Sequence, residues 1–435
     1  MKKSFKRAVC AMLSSAMLMS VCACGGQSEA KFSEGTTDLM ANVKPSTNAL
    51  SFKKDNELES TFESEYRAFA FRLFDQCAKK DSSKKNTLVS PLSVMNTLAM
   101  TANGAKENTL SEMMNAMRGG TTFSDSVRPL EISRFNQYFG AYIDSLPSDK
   151  KAKFASANSI WVREGALDVK KEFLQTNADY YGADIFSAKF DGNTLSDINH
   201  WVSDNTDGMI PKILEELPDA AVMYLINALS FDAEWKEIYR EDQVFEDEFT
   251  DIDGETKVVA MMGSTENGYL YDGIATGFIK PYSSGYSFVA MMPDEGVSLD
   301  EYIEKMAASG VFEQIKNGND EPVMVTMPKF SAEYSTELSD VLKAMGMNDA
   351  FDMDQADFSG IADVNKGELY ISRVIHKTAI NVDEKGTKAG AATAVEMKTN
   401  GAFLNAVYLN RPFVYMIVDN QTCLPLFIGQ VTHIS

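Results

Sequence analysis

Asp383-Glu384-Lys385-Gly386-Thr387-Lys388-Ala389-Gly390-Ala391-Ala392-Thr393-Ala394-Val395-Glu396-Met397-Lys398-Thr399-Asn400-Gly401 is built mostly from small residues. By composition alone it is a surface linker. Its alternation says otherwise: Thr387, Ala389, Ala391, Thr393, Val395 and Met397 carry no charge, whereas the intervening set holds Lys388, Glu396 and Lys398. Side chains with a period of two lie on opposite faces of a strand, so one face of this segment is suited to burial. A stretch that is loop by composition and strand by period fits a segment that is each at different times, which is the behaviour of a switch.

Two near-continuous apolar runs follow it, Phe413 to Val418 and Leu424 to Val431, joined by Asp419-Asn420-Gln421-Thr422. Hydrophobicity on both faces predicts a buried antiparallel pair. Upstream, Ala157 to Val162, Val222 to Phe231, Gly285 to Met292 and Val323 to Phe330 are short strand-like runs bounded by turn residues. Helices alternate with them. Ser60-Thr61-Phe62-Glu63 has the form of a capping box, and Tyr66, Phe69, Ala70, Leu73, Phe74 and Cys77 then recur at the spacing of one buried helical face. A second helix is punctuated by Ser90 as cap, Pro91 in the first turn and Gly104 as stop. No linker or repeat divides residues 60–435, so they are expected to form one α+β domain.

The N-terminus differs from the rest. Lys2, Lys3, Lys6 and Arg7 precede a 14-residue apolar run from Ala8 to Val21, too short to span a bilayer comfortably and typical of a secretory leader. It ends in Val21-Cys22-Ala23-Cys24-Gly25-Gly26, which resembles a bacterial lipoprotein cleavage box. That resemblance implies a signal peptide over 1–23, lipid on Cys24 and an extracellular, cell-surface location; the alternative is ordinary secretion with cleavage near Ala23. Residues 24–59 are polar, contain Pro45 and lack a sustained apolar period, and are expected to form a flexible tether. The net charge of -21 becomes more negative once the basic leader is removed, which argues against nucleic acid or an anionic membrane surface as partner. Cys77 and Cys423 remain, either as two buried thiols or as a pair.

The inventory for catalysis is poor. The three histidines, His200, His376 and His433, are widely separated, and no HExxH, CxxC, GxSxG or GxxxxGK[ST] pattern is present. A triad scattered along the sequence would escape such a search. The sequence nonetheless points away from an enzyme, and no cofactor or metal site is expected.

The chain resembles the serpins over essentially all of residues 60–435. The resemblance is carried by Asn86-Thr87-Leu88-Val89-Ser90-Pro91-Leu92-Ser93, Ile198-Asn199-His200-Trp201-Val202, Leu225-Ile226-Asn227-Ala228-Leu229-Ser230-Phe231 with Trp235, and Met327-Pro328-Lys329-Phe330. Gly346-Met347, His376-Lys377 and Arg411-Pro412-Phe413 follow in the same order. It implies a serpin fold of three β-sheets with eight or nine helices and an exposed reactive-centre loop. It also implies a mechanism: a target protease forms an acyl-enzyme with the loop, and the cut loop enters the large sheet as a new strand, carrying the protease with it. About sixteen inserted residues would make a strand on the order of 50 Å long.

On this resemblance the hinge comprises Glu384, Gly386, Thr387, Ala389, Ala391, Ala392 and Thr393, and its small residues are those of inhibitory members. Lys388 departs from the common pattern and is expected on the solvent face. Counting from Gly386 places the reactive bond at Asn400-Gly401, and counting back from Pro412 places it at Gly401-Ala402, so Thr399 and Ala402 are the flanking candidates. Small residues there favour an elastase-like serine protease, with an asparagine-specific cysteine protease as the other target class. Ser90, Ser93, Asn227 and His376 match the shutter beneath the sheet. Met117 to Tyr138 holds only Arg118, Arg128 and Arg134 as basic residues, which argues against activation by a heparin-type polyanion. A monomer is expected. The alternatives are a non-inhibitory serpin that binds a ligand or is merely cleaved, and a surface hydrolase.

Overall fold

The computed structural model describes residues 32–47, 49–50, 56–81, 85–120, 128–147, 151–165, 168–218, 221–318, 320–387 and 405–434. Nine helices occur among them. They are α1 (Asn56–Lys80), α2 (Pro91–Ala102), α3 (Glu107–Met117), α4 (Arg128–Ser145), α5 (Lys171–Tyr180), α6 (Gly192–Asn205), α7 (Leu299–Met306), α8 (Val311–Asn317) and α9 (Ser339–Ala344). The first nine strands are β1 (Thr36–Asp38), β2 (Leu88–Val89), β3 (Ala152–Arg163), β4 (Asp184–Ala188), β5 (Met223–Glu234), β6 (Val244–Thr250), β7 (Thr256–Asn267), β8 (Tyr269–Tyr271) and β9 (Ala275–Pro281). The remainder are β10 (Tyr286–Pro293), β11 (Pro322–Pro328), β12 (Phe330–Glu337), β13 (Arg373–Val382), β14 (Gly386–Thr387), β15 (Asn405–Tyr408), β16 (Phe413–Asp419) and β17 (Pro425–Val431).

The strands form three sheets, as the resemblance implies. A seven-stranded sheet runs β1-β4-β3-β5-β14-β13-β12, a six-stranded sheet β2-β17-β16-β10-β9-β8, and a four-stranded sheet β15-β11-β7-β6. The predicted C-terminal pair is present, with β16 antiparallel to β17 and both buried throughout. Helix α2 packs against β3 and β5 of the first sheet and β17 of the second. It is buried along its whole length, polar residues included. It starts as the sequence says, with Ser90 Oγ accepting from Ser93 N–H at 3.2 Å and Pro91 in the first turn. The apolar face of α1 from Tyr66 to Cys77 is also buried. Cys77 and Cys423 are separate buried thiols, and burial pushes the Cys77 thiol up to about 12.

Two expectations need correction. Helix α1 begins at Asn56, so Ser60 and Glu63 lie within it and do not cap it. The tether expected over residues 24–59 is not free along its length: Thr36–Asp38 pairs antiparallel with Phe186–Ala188 at the edge of the seven-stranded sheet. Further along, Ser46 N–H donates to Asp179 Oδ1 at 2.6 Å and Gln175 Nε2 to Lys44 O at 3.0 Å. The body therefore extends back to Glu34. Main-chain pairing covers an otherwise open sheet edge and asks little of side chains, which is why composition gave no hint of it.

Candidate functional site

Strands β5 and β13 are parallel neighbours, in register from Tyr224 opposite Arg373 to Ser230 opposite Ala379. Beyond that point they part. Gly386–Thr387 occupies the gap, antiparallel to both, with Thr387 opposite Val382 on one side and Gly386 and Thr387 opposite Glu234 and Ala233 on the other. A strand is thus begun at the mouth of a slot in the sheet. The turn that feeds it is already closed: Asp383 N–H donates to Gly386 O at 2.9 Å, and the Asp383 carboxylate accepts from the N–H groups of Lys385 and Gly386 at 2.8 and 3.2 Å. Gly386 has φ of +152°, and a Cβ there would lie 2.1 Å from Ala233 O, so only glycine fits.

Thr387, the first member of the uncharged alternating set, is fully buried, and its hydroxyl lies 2.8 Å from Tyr282 Oη. Tyr282 stacks on Trp235, with ring centroids 4.4 Å apart. Trp235 is more than a core aromatic: its indole N–H donates to Asp383 O and its backbone N–H to Lys385 O, both at 2.9 Å. Tyr239 N–H holds Glu384 O at 2.8 Å. Three successive carbonyls of the turn are therefore gripped by residues 235–239. On the outer side Lys329 Nζ meets the Glu384 carboxylate at 2.5 Å, and this hydrogen bond holds the carboxyl below its ordinary value. Both side chains are part exposed, so the pair adds little to the stability of the fold.

Further down the same two strands lies a polar network. Ser90 N–H donates to His376 Nε2 at 3.2 Å, and His376 Nδ1 bonds Asn227 Oδ1. The first contact requires a lone pair on Nε2, so the imidazole is neutral with its proton on Nδ1. Asn227 Nδ2 donates to Ser93 Oγ at 2.6 Å and to Asn158 Oδ1 at 2.8 Å, and the Ser93 hydroxyl donates to Asn158 Oδ1 at 2.7 Å. The bonds join α2 to β3, β5 and β13, so opening the β5–β13 seam must rearrange them.

Burial pushes the His376 pKa down from 6.5 to about 3. Between those values the unfolded chain takes up a proton that the native fold refuses. Stability from this group is therefore complete above pH 6.5 and is lost as pH falls toward 3, by roughly 3–5 kcal/mol in all. Thermal midpoints measured from pH 7 to pH 4 should fall more steeply for the wild type than for His376→Gln. Parallel curves would contradict this assignment.

The structure thus gathers Ser90, Ser93, Asn227 and His376 in one network and Glu384, Gly386 and Thr387 in one turn. Ala389, Ala391, Ala392, Thr393, Thr399, Asn400, Gly401 and Ala402 lie outside the described residues, as do Lys388 and Cys24. Asn158 and Thr97, whose hydroxyl is 3.2 Å from Asn227 Nδ2, were not foreseen. A lone asparagine inside the apolar run Ala157 to Val162 was the available signal for the first. Arg118 is ion-paired with Glu65, which further weakens any basic patch on that face.

The large sheet thus carries a strand begun at its mouth and a polar network across its seam. The family profile described as Serpin (serine protease inhibitor) matches residues 64–434, and the chain belongs to that family. It is 30% identical over 379 residues to serine protease inhibitor A3K of Mus musculus, covering 84% of this chain and 87% of that protein. It is 31% identical over 376 residues to an uncharacterized serpin-like protein of Thermococcus kodakarensis, covering 84% of each. Among solved structures it is similar to the thermophilic serpin tengpin in its native state, with a TM-score of 0.82, 42% identity and coverage of 92% of this chain and 100% of the other. Against tengpin in the latent state the TM-score is 0.74 at 44% identity, over 88% of this chain and 100% of the other. Human thyroxine-binding globulin complexed with thyroxine is also similar, at 24% identity and a TM-score of 0.77 over 87% of this chain and 100% of the other, which shows the shared fold alone.

Proposed function

We propose that this serpin is an irreversible suicide inhibitor of serine proteases and not itself an enzyme. The target cuts Asn400-Gly401, and the acyl-linked loop then zips into the seam between β5 and β13. The observation that carries this reading is the two-residue strand Gly386–Thr387, already paired on both sides with its feeding turn closed. Extending a formed hairpin avoids the entropy of starting one. That favours insertion in its race with hydrolysis of the acyl-enzyme. Dragging the attached protease then distorts its oxyanion hole and stalls deacylation. Small residues around the bond fit an elastase-like specificity pocket.

Incubation with elastase-type proteases should give an SDS-resistant complex and loss of protease activity. Clean cleavage with full protease activity across a broad panel would instead support a ligand-binding or substrate role, of the kind that thyroxine-binding globulin represents. We further propose that the protein is held outside a bacterial cell by lipid on Cys24 and protects that surface from foreign proteases. Cys24→Ala should move it from the membrane fraction to the medium; an unchanged distribution would reject the anchor.

A further inference from the structure

Lys280 lies beneath the segment that grips the hinge turn. Its side chain is only 2% exposed, and its ammonium donates to Glu266 Oε1 at 2.6 Å; the Glu266 side chain is 8% exposed. Ser264 Oγ donates to the same carboxylate oxygen at 2.6 Å and sits 3.3 Å from Tyr239 Oη. The Lys280 ammonium is 4.4 Å from the centroid of the Tyr239 ring and 5.4 Å from that of Trp235. These are the residues whose N–H groups hold the carbonyls of Asp383, Glu384 and Lys385. Burial alone would lower the Lys280 pKa, but Tyr239 and Glu266 together hold it above the ordinary lysine value, so the cation is retained. A buried ion pair is a poor way to stabilise a fold, since well-packed apolar residues commonly do as well. What depends on this one is the placement of two rings, because a desolvated cation over an aromatic face fixes the ring by its quadrupole.

We infer that Lys280 and Glu266 are a positioning pair for the trapping reaction: the paired ammonium pins Tyr239 and Trp235, these hold the Asp383–Gly386 turn, and the turn keeps the first two residues of the incoming strand seated. The pair touches neither protease nor scissile bond. It sets the fraction of loop cleavages that end in a trapped complex, and in this it rests on the inhibitory reading above.

The test compares wild type, the apolar double variant Glu266→Leu/Lys280→Met, Glu266→Gln and Lys280→Arg. Three quantities are measured with an elastase-type protease: association rate, stoichiometry of inhibition, and the rate of the tryptophan-fluorescence change after loop cleavage. The double variant should keep the wild-type association rate but raise the stoichiometry about fivefold, the effect of losing one desolvated cation–π contact. It should slow the fluorescence change by a similar factor. Lys280→Arg, which keeps a cation and its pair, should stay close to wild type. If the double variant does not fold, Glu266→Gln decides: a raised stoichiometry supports the pair, and an unchanged one overturns it. Wild-type stoichiometry in a folded double variant also overturns it, as does Lys280→Arg behaving like the double variant. Should wild type form no complex at all, the inhibitory reading fails separately; the pair is then judged by the fluorescence rate, where equal rates in all variants overturn it.

Discussion

Thr387→Arg should leave a folded protein that proteases cut but cannot be trapped by. Thr387 is fully buried between Ala233 and Val382 with its hydroxyl on Tyr282, so an arginine there must leave the sheet and take Gly386 with it. The body survives, because β5 and β13 remain paired directly from Arg373 to Ala379. On the proposed mechanism insertion would fail, because the entering strand would have to carry the guanidinium past Ala233, Val382 and Tyr282. Burying an unpaired polar group costs about 3 kcal/mol, which slows the step on the order of a hundredfold. The stoichiometry of inhibition should rise accordingly, with a modest fall in the thermal midpoint from loss of the seated hinge. An unchanged stoichiometry would mean that the strand enters elsewhere.

Cleavage of the loop should raise the thermal midpoint on the order of 15 °C. On the proposed mechanism, insertion would break the direct β5–β13 ladder and replace it with two ladders along a strand of about sixteen residues. The net gain is about a dozen backbone hydrogen bonds, each worth about 1 kcal/mol. For a body of this size that sum converts to roughly the stated shift. Differential scanning of intact and loop-cleaved protein measures it directly. Equal midpoints would mean that the cut loop stays outside the sheet.

Much of this was legible in the sequence, and the exceptions share a cause. Thr387 is buried as the first member of the uncharged alternating set, and the rest of that set lies outside the described residues. Ser90 and Pro91 marked the start of α2 because N-terminal caps are local. What escaped depends on main-chain contacts or on distant partners. The edge strand Thr36–Asp38 is held by backbone bonds that composition does not encode. The grip of Trp235 and Tyr239 on the hinge turn uses their N–H groups and the carbonyls of residues almost 150 positions away. Lys280 offered a faint signal, a lone charge within Ala275–Pro281, but nothing in the sequence matched it with Glu266.

On the proposed mechanism the protease is caught on the loop by a bond it made itself and is held there by strand insertion. Mass spectrometry of an elastase-type protease mixed with the intact serpin tests this most directly. The expected result is a covalent species with the mass of the protease joined to the chain ending at Asn400, less one water, together with a free fragment beginning at Gly401. Free active protease beside two cleaved serpin fragments, with no joined mass, would contradict it.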